Sequence, residues 1–211
     1  MLGLIKKDLL TIKTVSKPLI IIIIALLALS IQTKTEDVIY MLPLIGIIAF
    51  LSTFSYDQFN NWDAYTSALP NGRKNQIKSK YLTSVIIIIT LTILSVLFSL
   101  LITKINQKPI NIDQIITQTL VILLTSTITI SLLFPVMIKY GAQNGRLIVF
   151  IIVILLALLS TLTTKIKEIN ILNDIEKIIE NHTHIIIPLI SLIALIISYL
   201  ISKKIYQNKE F

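Results

Sequence analysis

Six stretches of the chain run without a charge, and each is bounded by charged residues or, once, by a histidine. They lie between Lys17 and Lys34, Asp37 and Asp57, Lys80 and Lys104, Asp113 and Lys139, Arg146 and Lys165, and His184 and Lys203. Runs such as IIIIALL and VIIIIT show no alternation of polar and apolar positions, which a membrane barrel requires. A lone strand in lipid leaves its backbone groups unpaired, whereas a helix satisfies them internally. The third and fourth runs exceed the roughly 20 residues that a bilayer core demands, and the first, fifth and sixth sit near the short limit of about 17. The pattern predicts an all-α, polytopic membrane protein with six transmembrane helices, over about 18–33, 38–56, 81–103, 115–138, 147–164 and 185–202.

Three pieces lie outside these spans. In residues 1–16, Leu2, Ile5, Leu9 and Ile12 fall on one helical face, with Lys6, Lys7 and Lys13 elsewhere. That is the pattern of an amphipathic interfacial helix, followed by a transmembrane domain over 17–211. Residues 57–80 form the largest loop on one side, and 165–183 the largest on the other. Within the latter, ILNDIEKIIE has the spacing of a short amphipathic helix.

Charge sets the expected orientation. With the N-terminus inside, the inner segments hold 13 of the 19 lysines and arginines, and the outer loops hold 6. The acids run the other way, so the inner face is net +9 and the outer face net −1. This asymmetry predicts both termini in the cytoplasm, an even number of spans, and location in the cell membrane. The net charge of +8 therefore reads as topology rather than as nucleic-acid binding. Hydrophobic residues make up 55% of the chain and charged ones 14%, too little polar surface for a soluble domain of 211 residues. The opening MLGLIKKDLL lacks a small-residue cleavage site and reads as retained.

The sequence predicts no enzyme chemistry. No cysteine is present, which excludes a thiolate nucleophile and thiolate metal sites. None of the five glycines sits in a phosphate-binding loop, so no nucleotide cofactor is expected on this chain. His182, His184 and Glu180 cluster in one outer segment without a second group to complete a metal shell, and they read as a solvated loop. No charged residue sits mid-span in any of the six runs, so ion-driven transport has no evident proton or ion carrier. Hydroxyl-bearing positions such as Thr90, Ser95, Thr125 and Thr127 are candidates for a translocation path, with helix packing as the alternative. Pro43 and Pro135 interrupt the second and fourth runs and are expected to kink them.

The inner loop, FSYDQFNNWDAYTSALPNGRKNQIKSKYL, holds the most information. FNNWDAYTSAL is predicted to form a short helix capped by Asp57 or Asn60. Pro70, Asn71 and Gly72 then impose a turn. Arg73, Lys74, Lys78 and Lys80 return the chain to the bilayer at the level of the phosphates. Trp62 and Tyr65 are amphipathic anchors suited to headgroups or to a groove on another protein.

The opening LGLIKKDLL, the aromatic-acid end of the second run, and the pattern W-D-x-Y-x-x-x-L-P-x-x-R-K together resemble a known family. The residues concerned are Trp62, Asp63, Tyr65, Leu69, Pro70, Arg73 and Lys74, followed by Lys80 and Tyr81. The chain resembles the small permease subunits of type-2 ABC exporters of Gram-positive bacteria, the kind that includes the permease of the phenol-soluble modulin exporter. The resemblance implies two permease chains, paired as a homo- or heterodimer, with two separate ATP-binding subunits beneath. ATP and magnesium would then belong to the partner. It further implies export of amphipathic or hydrophobic peptides of toxin or antimicrobial type. The loop over 57–70 would be the coupling helix, with Asp57, Trp62, Asp63, Tyr65, Leu69, Pro70 and Arg73 as contact candidates. The alternative is a membrane immunity protein that captures a toxic peptide on its 165–183 loop without turnover.

Overall fold

The structure is a computed structural model that describes residues 1–14, 16–163 and 171–209. Of these, the side chains of residues 16, 149–150, 152–163, 171–185 and 187 are not described. The described residues form α1 (Leu2–Thr14), α2 (Ser16–Thr33), a 3-10 turn (Asp37–Met41), α3 (Leu42–Phe59), α4 (Trp62–Ser67), α5 (Gly72–Ile105), α6 (Ile112–Thr163) and α7 (Ile171–Gln207). Among the described residues, four helical stretches are long and apolar enough to cross a membrane: Asp37–Phe59, Gly72–Ile105, Ile112–Ile148 and Pro188–Gln207. α1 and α2, bent 65° against each other, make a fifth if the pair is taken as one span. Most side chains of the expected fifth run, 147–164, lie outside the described residues, as does the start of the 165–183 loop. From Ile171 onward that loop is helical, and it continues into α7.

α6 is not one straight rod. Gly141 has a φ of +82°, a conformation that glycine adopts at little cost. A Cβ on Gly145 would stand 3.1 Å from the Cα of Met137. Eight residues of straight helix would separate the two by about 12 Å. The chain therefore turns sharply at Gly141, and its two arms lie side by side next to the turn. Pro135 sits inside the first arm, but the break falls at the glycine. Pro43 lies in the first turn of α3, where its missing N–H costs nothing.

The packed core joins α3, α5, α6 and α7. Phe50, Phe54, Tyr81, Phe134 and Tyr199 form a chain of ring contacts, with centroids 4.9 to 6.1 Å apart. Gly46 of α3 allows the close approach of α5, since a Cβ there would lie 2.0 Å from Cδ1 of Leu91. Tyr81 ties α5 to α7 through Ser198 and Ser202, at 2.6 and 2.8 Å. Small residues and hydroxyl bridges are the usual means of joining helices in lipid, where apolar side chains gain little from leaving one apolar medium for another.

The two ends of the bundle differ. At one, here the loop end, α1, the end of α3, α4, the start of α5, the Gly141 turn and the end of α7 all meet. At the other, the far end, residues 35–37 lie beside 103–115.

Candidate functional site

The loop end is organised around four charges from three helices. Asp8 comes from α1, Asp57 from the last turns of α3, Lys80 from α5, and Lys7 again from α1. Lys80 lies 2.9 Å from Asp8 and 2.7 Å from Asp57. Lys7 lies 3.0 Å from Asp8 and also contacts Asp57. The Lys80 side chain is 2% exposed, Asp8 1% and Asp57 7%, whereas Lys7 reaches the surface at 20%. Thr53 accepts a further bond from Lys80 at 2.9 Å, and the amide of Gln76 donates to Asp57 at 3.1 Å. The Lys80 ammonium also lies 4.8 Å from the ring centre of Phe54. Unpaired, each buried ion would cost several kcal/mol; a neutral set of two acids and two bases makes the burial tolerable.

This departs from the expectation for Lys80. The sequence placed it at the lipid phosphates, and the structure turns it inward, because α5 begins at Gly72 rather than near 81. Lys80 is thus more than two turns inside a helix and faces α1 and α3. Lys74 and Lys78 are exposed. The sequence carried one unread signal. Asp8 stands three residues after Ile5 and four before Ile12, on the apolar stripe of α1 itself.

The inner loop is a short helix fastened at both ends. α4 spans Trp62–Ser67, and its N-cap, Asn61, is left-handed at φ +49° without a side-chain cap. Neither expected cap serves α4: Asn60 donates to the Tyr56 carbonyl at the end of α3, and Asp57 is held in the ion cluster. The turn expected at Pro70–Gly72 is present, with Asn71 at φ +57°. Gly72 fits only as glycine, since a Cβ there would stand 1.8 Å from the Thr66 carbonyl oxygen.

The candidate contact residues divide by environment. Asp63 accepts a bond from the Tyr206 hydroxyl at 2.8 Å, which ties α4 to the end of α7. Arg73 donates to the Gln207 carbonyl at 2.7 Å. Trp62 lies beside Tyr65, with ring centres 5.2 Å apart, and the Lys7 ammonium sits 5.0 Å from its ring. Asp57 is buried. Tyr65 and Leu69 are exposed, and Pro70 is exposed beside them. Phe59, which the sequence did not single out, is the most exposed of these at 85%. The loop thus presents an aromatic and aliphatic knob outward, while its acids and Arg73 hold it to the bundle.

Gln58, one residue from Asp57, reaches the break in α6. Its side-chain oxygen accepts the Ala142 N–H at 3.0 Å, a donor that the turn at Gly141 would otherwise leave open. Arg146 donates to Ser55 at 2.9 Å, and Lys209 to the Ile138 carbonyl at 2.8 Å. A cavity of about 200 Å³ opens among these groups, lined by Asp57, Gln58, Asp63, Gln76, Lys80 and Tyr206.

The four hydroxyls considered for a path do not converge. Ser95 and Thr127 are buried, whereas Thr90 and Thr125 lie on outer faces. Each donates to a carbonyl of its own helix one turn back. Such bonds satisfy the hydroxyl locally and leave little donor capacity for a substrate.

Comparison with known proteins agrees with this architecture. No curated protein and no solved structure matches the chain. A family model described as ABC-2 family transporter protein matches residues 3–207, nearly the whole chain. Permeases of that family are membrane subunits that normally work with an ATP-binding subunit. The chain belongs to the ABC-2 family of transporter proteins and is a membrane protein.

Proposed function

We propose that the chain is the permease subunit of an ATP-driven exporter, moving amphipathic or hydrophobic peptides of toxin or antimicrobial type. A second permease chain would pair with it in the bilayer, and a separate subunit would carry the ATP and magnesium. The observation that carries this reading is α4. A short helix at the loop end exposes Tyr65, with Phe59 and Leu69 exposed at its flanks, and is held to α7 by the Tyr206–Asp63 bond and to α1 by the Lys7 ammonium over the Trp62 ring. Such an exposed knob on a firmly held base suits a partner that pushes.

The same reading takes the spans as six, with both termini and the 57–80 loop in the cytoplasm. It is supported by the meeting of α1, α4, the Gly141 turn and the end of α7 at one end of the bundle. Termini on the same side require an even number of crossings. The sharp turn at Gly141 divides α6 into two arms, and this reading counts the second arm as the sixth crossing.

Co-expression with the ATP-binding subunit of the same transporter tests the proposal. The pair is expected to co-purify, and Tyr65→Ala is expected to lower peptide export more than it lowers the amount of chain in the membrane. Failure to co-purify, together with intact export in Tyr65→Ala, Leu69→Ala and Trp62→Ala, would refute it.

A further inference from the structure

The four-charge cluster divides evenly across the seam between α1 and the rest of the bundle. On one side of the seam stand Lys7 and Asp8, 3.0 Å apart and both on α1. On the other stand Asp57 and Lys80, 2.7 Å apart, one on α3 and one on α5. Each side is neutral by itself. Within the cluster, the ion pairs that cross the seam are Lys80 to Asp8, at 2.9 Å, and Lys7 to Asp57. All four acid–base contacts that two acids and two bases allow are thus made at once.

A structural lock needs less than this. A single acid on α1 facing a single base on α5 would hold the helix, and pulling them apart would strand two charges. In the present arrangement α1 can part from α3 and α5 while every ion keeps one partner. Other features favour parting at this seam. Oδ2 of Asp8 is buried yet has no hydrogen-bond partner among the described residues. Lys7 is partly exposed already and can follow α1 outward. The facing pair lines the polar cavity, which offers water a route to Asp57 and Lys80 when α1 leaves.

We propose that this cluster is a releasable clasp, which docks the N-terminal helix on the bundle and lets it go without leaving a bare charge on either side. The occupant of the seam is α1 itself, and the device does not depend on the identity of any transported molecule.

The test compares double variants that each remove one acid and one base. Lys7→Met with Asp8→Asn empties the α1 side, and both halves stay neutral after release. Asp8→Asn with Lys80→Met leaves a lone Lys7 facing a lone Asp57, so release must now separate them. Two further pairs repeat the contrast: Asp57→Asn with Lys80→Met, and Lys7→Met with Asp57→Asn. The chain has no cysteine, so spin labels can be placed at Lys6→Cys and Ala68→Cys, both exposed. Pulsed dipolar spectroscopy in lipid nanodiscs then reads the α1 to α4 distance.

The clasp predicts opposite outcomes for variants of equal charge content. The released, longer-distance population rises several-fold in the two variants emptied on one side. It falls below wild type in the two that keep a lone pair across the seam. A purely structural cluster would loosen α1 alike in all four, and that result overturns the proposal. If one pair of variants does not fold, the remaining pair still carries the contrast. No ATP-binding partner is present in this experiment, so its outcome is independent of the coupling reading above.

Discussion

The two ends of the bundle are held by different forces. At the loop end, ions carry the load: Lys80 and Lys7 on Asp8 and Asp57, Tyr206 on Asp63, and Arg73 and Lys209 on backbone carbonyls. At the far end the links are neutral or exposed. Tyr40 and Ser99 share a hydrogen bond at 3.0 Å, the Gln118 amide donates to Asp37, and Lys108 donates to the Lys34 carbonyl. A small apolar cluster of Ile39, Leu42 and Ile102 fills the space behind them. Bonds to buried ions are strong and directional, so elements joined by them move as a unit or part at a defined seam. Neutral bonds and apolar contacts yield more gradually. The loop end is thus joined by strong, directional bonds and the far end by weaker ones, the division of labour that the proposed ATP-driven permease would need.

The contrast predicts a ranked set of losses. Lys80→Met leaves two buried acids with one base and is expected to cost about 3–5 kcal/mol, read as a lowered midpoint in a thermal aggregation assay. Tyr206→Phe strips Asp63 of its donor and should cost about 1.5–3 kcal/mol by the same assay. Gly72→Ala drives a methyl into the Thr66 carbonyl and should cost about 1–3 kcal/mol. It should also unseat α4, and Trp62, the sole tryptophan, reports that directly through increased quenching by acrylamide. At the far end the effects shrink. Tyr40→Phe should cost about 0.5–1.5 kcal/mol and Gln118→Ala, at an exposed bond, under about 0.5 kcal/mol. Equal losses from Gln118→Ala and Lys80→Met would erase the distinction between the ends.

Much of the helical layout was legible because lipid leaves the backbone few choices. The uncharged runs ending at Asp57 and beginning at Lys80 bracket α4, and the Pro70–Gly72 turn lies where the residue types place it. What escaped the sequence was the direction of the charges. Treating Asp57 and Lys80 as boundaries put them in water, because a single charge is expensive in a bilayer. Their burial depends on Asp8, some fifty and seventy positions away, and no local pattern records that pairing. The hint lay in Asp8 on an otherwise apolar stripe, which an interfacial helix would not favour. Gln58 escaped for a similar reason: its role exists only because Gly141 opens a donor beside it. The hydroxyls show the limit of a one-dimensional pattern, since Thr90 and Ser95 are close in sequence yet one is exposed and the other buried.

The measurement that bears most directly on the central claim is site-specific cross-linking in a chain that has no cysteine of its own. Single cysteines at Tyr65, on the knob, and at Thr117, at the far end, would be tested against the ATP-binding subunit of the same transporter in membranes. The account predicts a cross-link from Tyr65→Cys that strengthens or weakens with nucleotide, and none from Thr117→Cys. A cross-link from Thr117→Cys with none from Tyr65→Cys would contradict it.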